Sequence, residues 1–152
     1  MHTKKTRDWI LLADRAHAKI YTRHYVNGAM QQYIALEHPA ARKFQHDQGS
    51  DKPGRGHQSS SGAKHSYEDH ADFPEQESQA FLQGIADEIN EAAAQDEMDR
   101  LILVALPKTM AVIKNALSPQ AQKKLGGEYA KNLIHLSESD FQEQLADYES
   151  LK

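Results

Sequence analysis

The apolar positions form two unbroken short runs and several helical stripes, and a long polar stretch divides them. Trp9-Ile10-Leu11-Leu12-Ala13 is apolar throughout, the pattern of a strand buried on both faces. Asp14-Arg15-Ala16 reads as a tight turn. Ala18, Ile20 and Thr22 then alternate with Lys19, Tyr21 and Arg23, which predicts a half-exposed strand. Asn27-Gly28 is a hairpin signal, because both residues tolerate positive φ, and a third strand is expected from Gln31 to Glu37. Leu82, Ile85, Ala86, Ile89 and Ala93 recur at helical spacing. Pro74 suits the first turn of that helix, and Glu75 and Glu77 complement the positive end of its dipole. The second continuous run, Leu101 to Leu106, predicts another buried strand.

Further along, Pro107 opens a short helix with Met110 and Ile113 on its core side. Ser118 as N-cap and Pro119 at the first helical position open the next helix, which Gly126-Gly127 is expected to end. Tyr129 to Leu136 is ambiguous in pattern, and a strand is expected over its second half. Ser137 caps the last helix, and Leu136 and Phe141 take the places of a hydrophobic staple. Trp9, Phe81, Leu82 and Ile85 are expected to pack in the core, and His135 to be partly buried between Ile134 and Leu136.

A meander of three strands followed by alternating helices and strands predicts an α/β fold, a five-stranded mixed sheet flanked by helices. The order fits a ribonuclease H-like topology, with strand two opposing the other four. The carboxyl ends of strands one, three, four and five then share an edge. That edge should gather Asp14, His38, Lys108, Thr109 and His135, and open α/β sheets bind ligands there.

Length and composition narrow the class. The 152 residues suit a single domain, here expected over 1–152 with a polar loop at about 39–73. The chain has no cysteine, which excludes disulfides, thiolate metal sites and cysteine catalysis. The net charge of −4, with signs intermixed, gives no global field for nucleic acid. Lys52, Arg55 and Lys64 can still form a local basic patch. The basic start, Met1 to Arg7, is followed by an apolar run too short for a signal sequence or a membrane span. A soluble, cytoplasmic protein is expected.

The polar loop holds most of the candidate chemistry. Loops of such length inside a domain are commonly functional. Asp51-Lys52-Pro53-Gly54-Arg55-Gly56-His57 contains a Pro-Gly turn that would present Lys52 and Arg55 outward, and the planar arginine fork suits phosphate. Lys108 and Thr109 open a helix and form a second anion candidate. His65, Asp69 and His70, with Asp14, have the residue types of a divalent-metal site, although the spacing matches no established motif. A two-metal nuclease needs clustered acids, and Ala105-Leu106-Pro107 after the fourth strand supplies none.

Four stretches, Trp9 to Tyr21, Ser50 to Gly56, Leu101 to Pro107, and Ala116 to Pro119 with Leu133 to Ser137, stand in a specific order and spacing. Together they resemble the bacterial host attachment protein family, a relative of the middle domain of class 1 peptide-chain release factors. The resemblance implies a release-factor middle-domain-like sheet. It also implies that the 39–73 loop corresponds to the loop that release factors insert into the peptidyl-transferase centre. The Gly-Gly-Gln of release factors is here Gly56-His57-Gln58, so peptidyl-tRNA hydrolysis does not carry over. The expectation is a non-catalytic module that binds RNA or the ribosome through its Asp-Lys-Pro-Gly-Arg loop, without a cofactor. The alternatives are a metal-assisted phosphoester hydrolase and a domain that attaches to a protein partner on host cells.

Overall fold

The computed structural model describes residues 5–26, 28–39 and 74–151. Five strands, β1 (Asp8–Ala13), β2 (His17–Arg23), β3 (Gln31–Glu37), β4 (Arg100–Val104) and β5 (Leu125–Tyr129), form one sheet in the order β3-β2-β1-β4-β5. β2 runs antiparallel to both β1 and β3, whereas β4 is parallel to β1 and to β5. Strand two therefore opposes the other four, and the expected α/β fold with a mixed sheet is what forms.

Among the described residues four helices cover the sheet: α1 (Glu75–Ala94), α2 (Pro107–Ala116), α3 (Pro119–Lys123) and α4 (Glu138–Ser150). Successive side chains of a strand point to opposite faces, so β1 feeds two cores. Trp9, Leu11 and Ala13 pack with Leu82, Ile85, Ile89 and Ile113 on the side of α1 and α2. Ile10 and Leu12 pack with Tyr21, Phe141 and Leu145 on the side of α4. Each large apolar side chain enclosed in this way contributes about 1.5–3 kcal/mol. The caps are in place: Ser118 Oγ accepts from Ala121 N–H at 3.2 Å and Ser137 Oγ from Asp140 N–H at 3.1 Å. Leu136 packs against the second core, to which Phe141 belongs, the side of the chain a staple requires.

Several expectations need correction. The fifth strand lies at Leu125–Tyr129, not in the second half of 129–136. Gly126-Gly127 sits within that strand instead of ending a helix, and α3 closes earlier, at Lys123. Leu133 to Leu136 is a turn, with Leu136 N–H donating to Leu133 O at 3.0 Å. A five-residue strand with two glycines has little intrinsic strand preference. It forms because it pairs with the buried β4. His135 is exposed as a result.

β2 is not half-exposed either. Tyr21 and Arg23 are buried because α4 covers that face, with the rings of Tyr21 and Phe141 stacked at 5.6 Å. The β2–β3 connection spans 24–30, longer than a two-residue hairpin. Gly28 N–H donates to Tyr25 O at 2.8 Å, Gly28 does not take a positive φ, and Asn27 lies outside the described residues. Pro74 caps α1 from outside the helix, and Phe81 is half-buried beside the core. Strand four stops at Val104, two residues short of Leu106.

Candidate functional site at the carboxyl edge of the sheet

β1 ends at Ala13, and the next residue builds the turn. Asp14 Oδ1 accepts from the backbone N–H of Ala16 at 2.9 Å and of His17 at 2.7 Å. An aspartate side chain thereby replaces a backbone carbonyl, the usual reason for aspartate in a turn. Asp14 is 3% exposed. The same oxygen lies 3.1 Å from His17 Nδ1, while His17 Nε2 lies 2.9 Å from Glu37 Oε2. His17 thus ties the β1–β2 turn to the last residue of β3. Burial by itself would lower the His17 pKa, but hydrogen bonds and charge from Asp14 and Glu37 outweigh it and hold the pKa above its ordinary value.

His38 continues this anchoring. Its backbone N–H donates to Ala16 O at 2.9 Å, its Nε2 lies 3.7 Å from Glu77 Oε1, and its ring centroid is 5.8 Å from that of Phe81. The end of β3 is therefore set against α1, the helix that follows residue 73. A shallow crevice opens beside this junction and is lined by Arg15, Glu75, Ser78, Lys108 and Thr109. Thr109 is buried and Lys108 exposed in the first turn of α2, whose backbone N–H groups and dipole favour an anion. Two cationic side chains and a helix N-terminus can together receive phosphate oxygens, and Glu75 opposes them with one negative charge.

Of the residues expected at this edge, Asp14, His38, Lys108 and Thr109 are there, and His135 is not, because β5 ends at Tyr129. Asp51, Lys52, Pro53, Gly54, Arg55, Gly56 and His57 lie outside the described residues, as do Lys64, His65, Asp69 and His70. Among the described residues no group of three or more histidines and carboxylates is arranged to hold a metal ion. Asp14 and Glu37 flank opposite nitrogens of the His17 ring and so do not converge on one point. Sequence reasoning passed over His17, Glu37 and Arg15. The spacing of Asp14 and His17 was a usable signal for the first, since an aspartate turn bonds residues two and three positions on.

The opposite end of the sheet holds a charged cluster. Asp8 is fully buried, with Oδ2 at 2.9 Å from Arg23 Nε and 2.7 Å from Arg100 Nη2. Arg23 continues to Glu149 of α4 through two bonds of 3.1 and 2.7 Å. Two positive and two negative groups therefore close a compensated network that fastens α4 to the sheet.

A single five-stranded sheet with a built carboxyl edge defines an α/β domain, and the sequence places it in a family. Residues 9–145 match the family described as "Protein required for attachment to host cells", and the chain belongs to that family. None of the curated proteins matches it. Several solved structures are similar to it, two archaeal ones among them. One is an archaeal protein (TM-score 0.48, 12% identity, 95% of this chain and 38% of that one). The other is an archaeal translation termination factor (TM-score 0.47, 11% identity, 95% of this chain and 39% of that one). The chain thus spans well under half the length of either structure. Among the described residues no helix is long and apolar enough to cross a membrane.

Proposed function

We propose that the protein is a non-catalytic binding module that uses the carboxyl edge of its sheet to contact phosphate-rich RNA, with the ribosome as the leading partner. The observation that carries this reading is the crevice where Arg15 and Lys108 meet the N-terminus of α2. It lies beside the anchored end of β3, and Asp51, Lys52 and Arg55 follow β3 in the sequence. Arg15 and Lys108 can contact phosphate oxygens, and Lys52 and Arg55 of the 39–73 loop are taken in this reading to add further contacts. A cytoplasmic location accompanies this reading.

Phosphate contacts release counterions, so binding must weaken as salt rises. Co-sedimentation of the protein with ribosomes at low and high salt tests this. The expected result is salt-sensitive binding, weakened in Arg55→Ala and in Lys108→Ala. Absence of binding, or binding indifferent to salt and to both substitutions, would overturn it.

A further inference from the structure

The first turns of α1 and α2 meet at one crevice, which Glu75, Ser78, Lys108 and Thr109 line. Neither helix has a side-chain cap, since Pro74 and Leu106 hold the capping positions. In α2, Pro107 has no N–H, and the N–H of Met110 donates to Leu106 O at 2.8 Å. The N–H groups of Lys108 and Thr109 therefore have no acceptor within the helix. The positive ends of two helix dipoles thus lie beside a single recess.

Two hydroxyls in this recess are the stronger sign of a ligand. Ser78 and Thr109 are each 3% exposed, and both line the crevice. Neither hydroxyl makes a hydrogen bond among the described residues, and neither oxygen is sealed off from the crevice. A buried hydroxyl without a partner is unfavourable, and native proteins rarely leave two in one place. An anionic oxygen would accept from both hydroxyls and from the free N–H groups of α2. The recess has a volume of about 20 Å³, room for roughly one water-sized group. A single phosphate oxygen fits it, whereas a base or a sugar does not. Arg15 and Lys108 bring two positive charges to the rim, and Glu75 offsets one of them. The recess therefore selects by fit and hydrogen bonding more than by charge.

We propose that the crevice takes the terminal phosphate monoester of an RNA, a deepening that rests on the RNA-binding reading of the same site. One phosphate oxygen is seated against Ser78 and Thr109, and the α2 N–H groups and Lys108 hold the oxygens left at the mouth. An internal phosphodiester carries a sugar on each side. Both sugars must clear the walls formed by Arg15, Gln79 and Val112 before an oxygen reaches the hydroxyls. A terminal phosphate approaches end-on and has three oxygens free to accept.

Fluorescence anisotropy with the full chain and a short, internally labelled single-stranded RNA tests this. The same RNA is compared with a 5′-phosphate, with a 3′-phosphate and with hydroxyls at both ends. A phosphate on one end should tighten binding on the order of tenfold. Thr109→Val and Ser78→Ala should each bring the phosphorylated and hydroxyl-ended affinities to within about twofold of one another. Each replaces an unpartnered hydroxyl by an apolar group, so the melting temperature should be kept or raised. Inorganic phosphate should compete with the end-phosphorylated RNA on the unsubstituted chain, which decides the question if a variant fails to fold. RNA bound equally well with and without an end phosphate would overturn the proposal and leave the RNA-binding reading standing. So would an end-phosphate preference that survives both substitutions. Failure to bind any RNA, even where inorganic phosphate binds, would overturn both.

Discussion

Arg100 reaches the buried Asp8 by running directly over the backbone of Gly126, where a Cβ would overlap its Cγ and Cδ. The glycine of β5 is thus required by an arginine of β4, and the reason is space for a side chain in transit. Gly126→Ala must either displace Arg100 or push β5 away from β4. Overpacking of this kind costs about 1–3 kcal/mol. Urea unfolding should show a lower midpoint for Gly126→Ala, and Gly84→Ala on α1, where a Cβ meets nothing within 4 Å, should not.

The Asp8 cluster should be more sensitive still. Removing a partner from a buried ion pair leaves an uncompensated charge, at a cost of about 3–5 kcal/mol. Asp8→Ala is expected to lose stability in that range, since Arg23 stays buried beside it. Burial would raise the Asp8 pKa, but bonds and charge from Arg100 and Arg23 outweigh it and hold the pKa below 3.8. The folded value is below the unfolded one, so this contribution is present above about pH 4 and lost as pH falls through the folded pKa. Denaturation curves in acid should therefore be flatter for Asp8→Ala than for the wild type.

His17 works in the opposite direction. Its folded pKa is raised above 6.5, so its stabilisation is complete below about pH 6.5 and disappears as pH rises through the folded value. Unfolding free energy should fall across that window in the wild type, and the fall should be smaller in His17→Gln. Following the His17 ring by NMR would report its titration directly. A ring that titrates below 6.5 would contradict the account.

Asn90 joins α1 to the junction of α2 and α3. Its Nδ2 donates to Ala116 O at 3.1 Å, and its Oδ1 accepts from Ser118 N–H at 2.8 Å. One side chain thus satisfies the last carbonyl of one helix and the capping residue of the next. Asn90→Ala removes both bonds and leaves partly buried backbone groups without them, which costs about 1–3 kcal/mol. Thermal melting should show the loss, and Asn90→Asp, which retains the acceptor, should recover part of it.

Much of the architecture was legible because it is written locally. The unbroken run at Trp9–Ala13, the helical stripe from Leu82 to Ala93, and the caps at Ser118 and Ser137 each depend on residues within a turn or two. Their order alone gives the mixed sheet and the shared carboxyl edge, and so places Asp14, His38, Lys108 and Thr109 together. What the tertiary structure decided involves partners distant along the chain. His17 meets Glu37 twenty residues on, Arg100 meets Asp8 across 92, and Arg23 meets Glu149 across 126. The same holds for β5: glycines that by local preference end a helix become a strand because β4 supplies its hydrogen-bonding edge and Arg100 needs the room. Local propensity is worth tenths of a kcal/mol per residue, whereas a buried pairing or ion network is worth several. Where the two disagreed, the long-range interaction set the outcome.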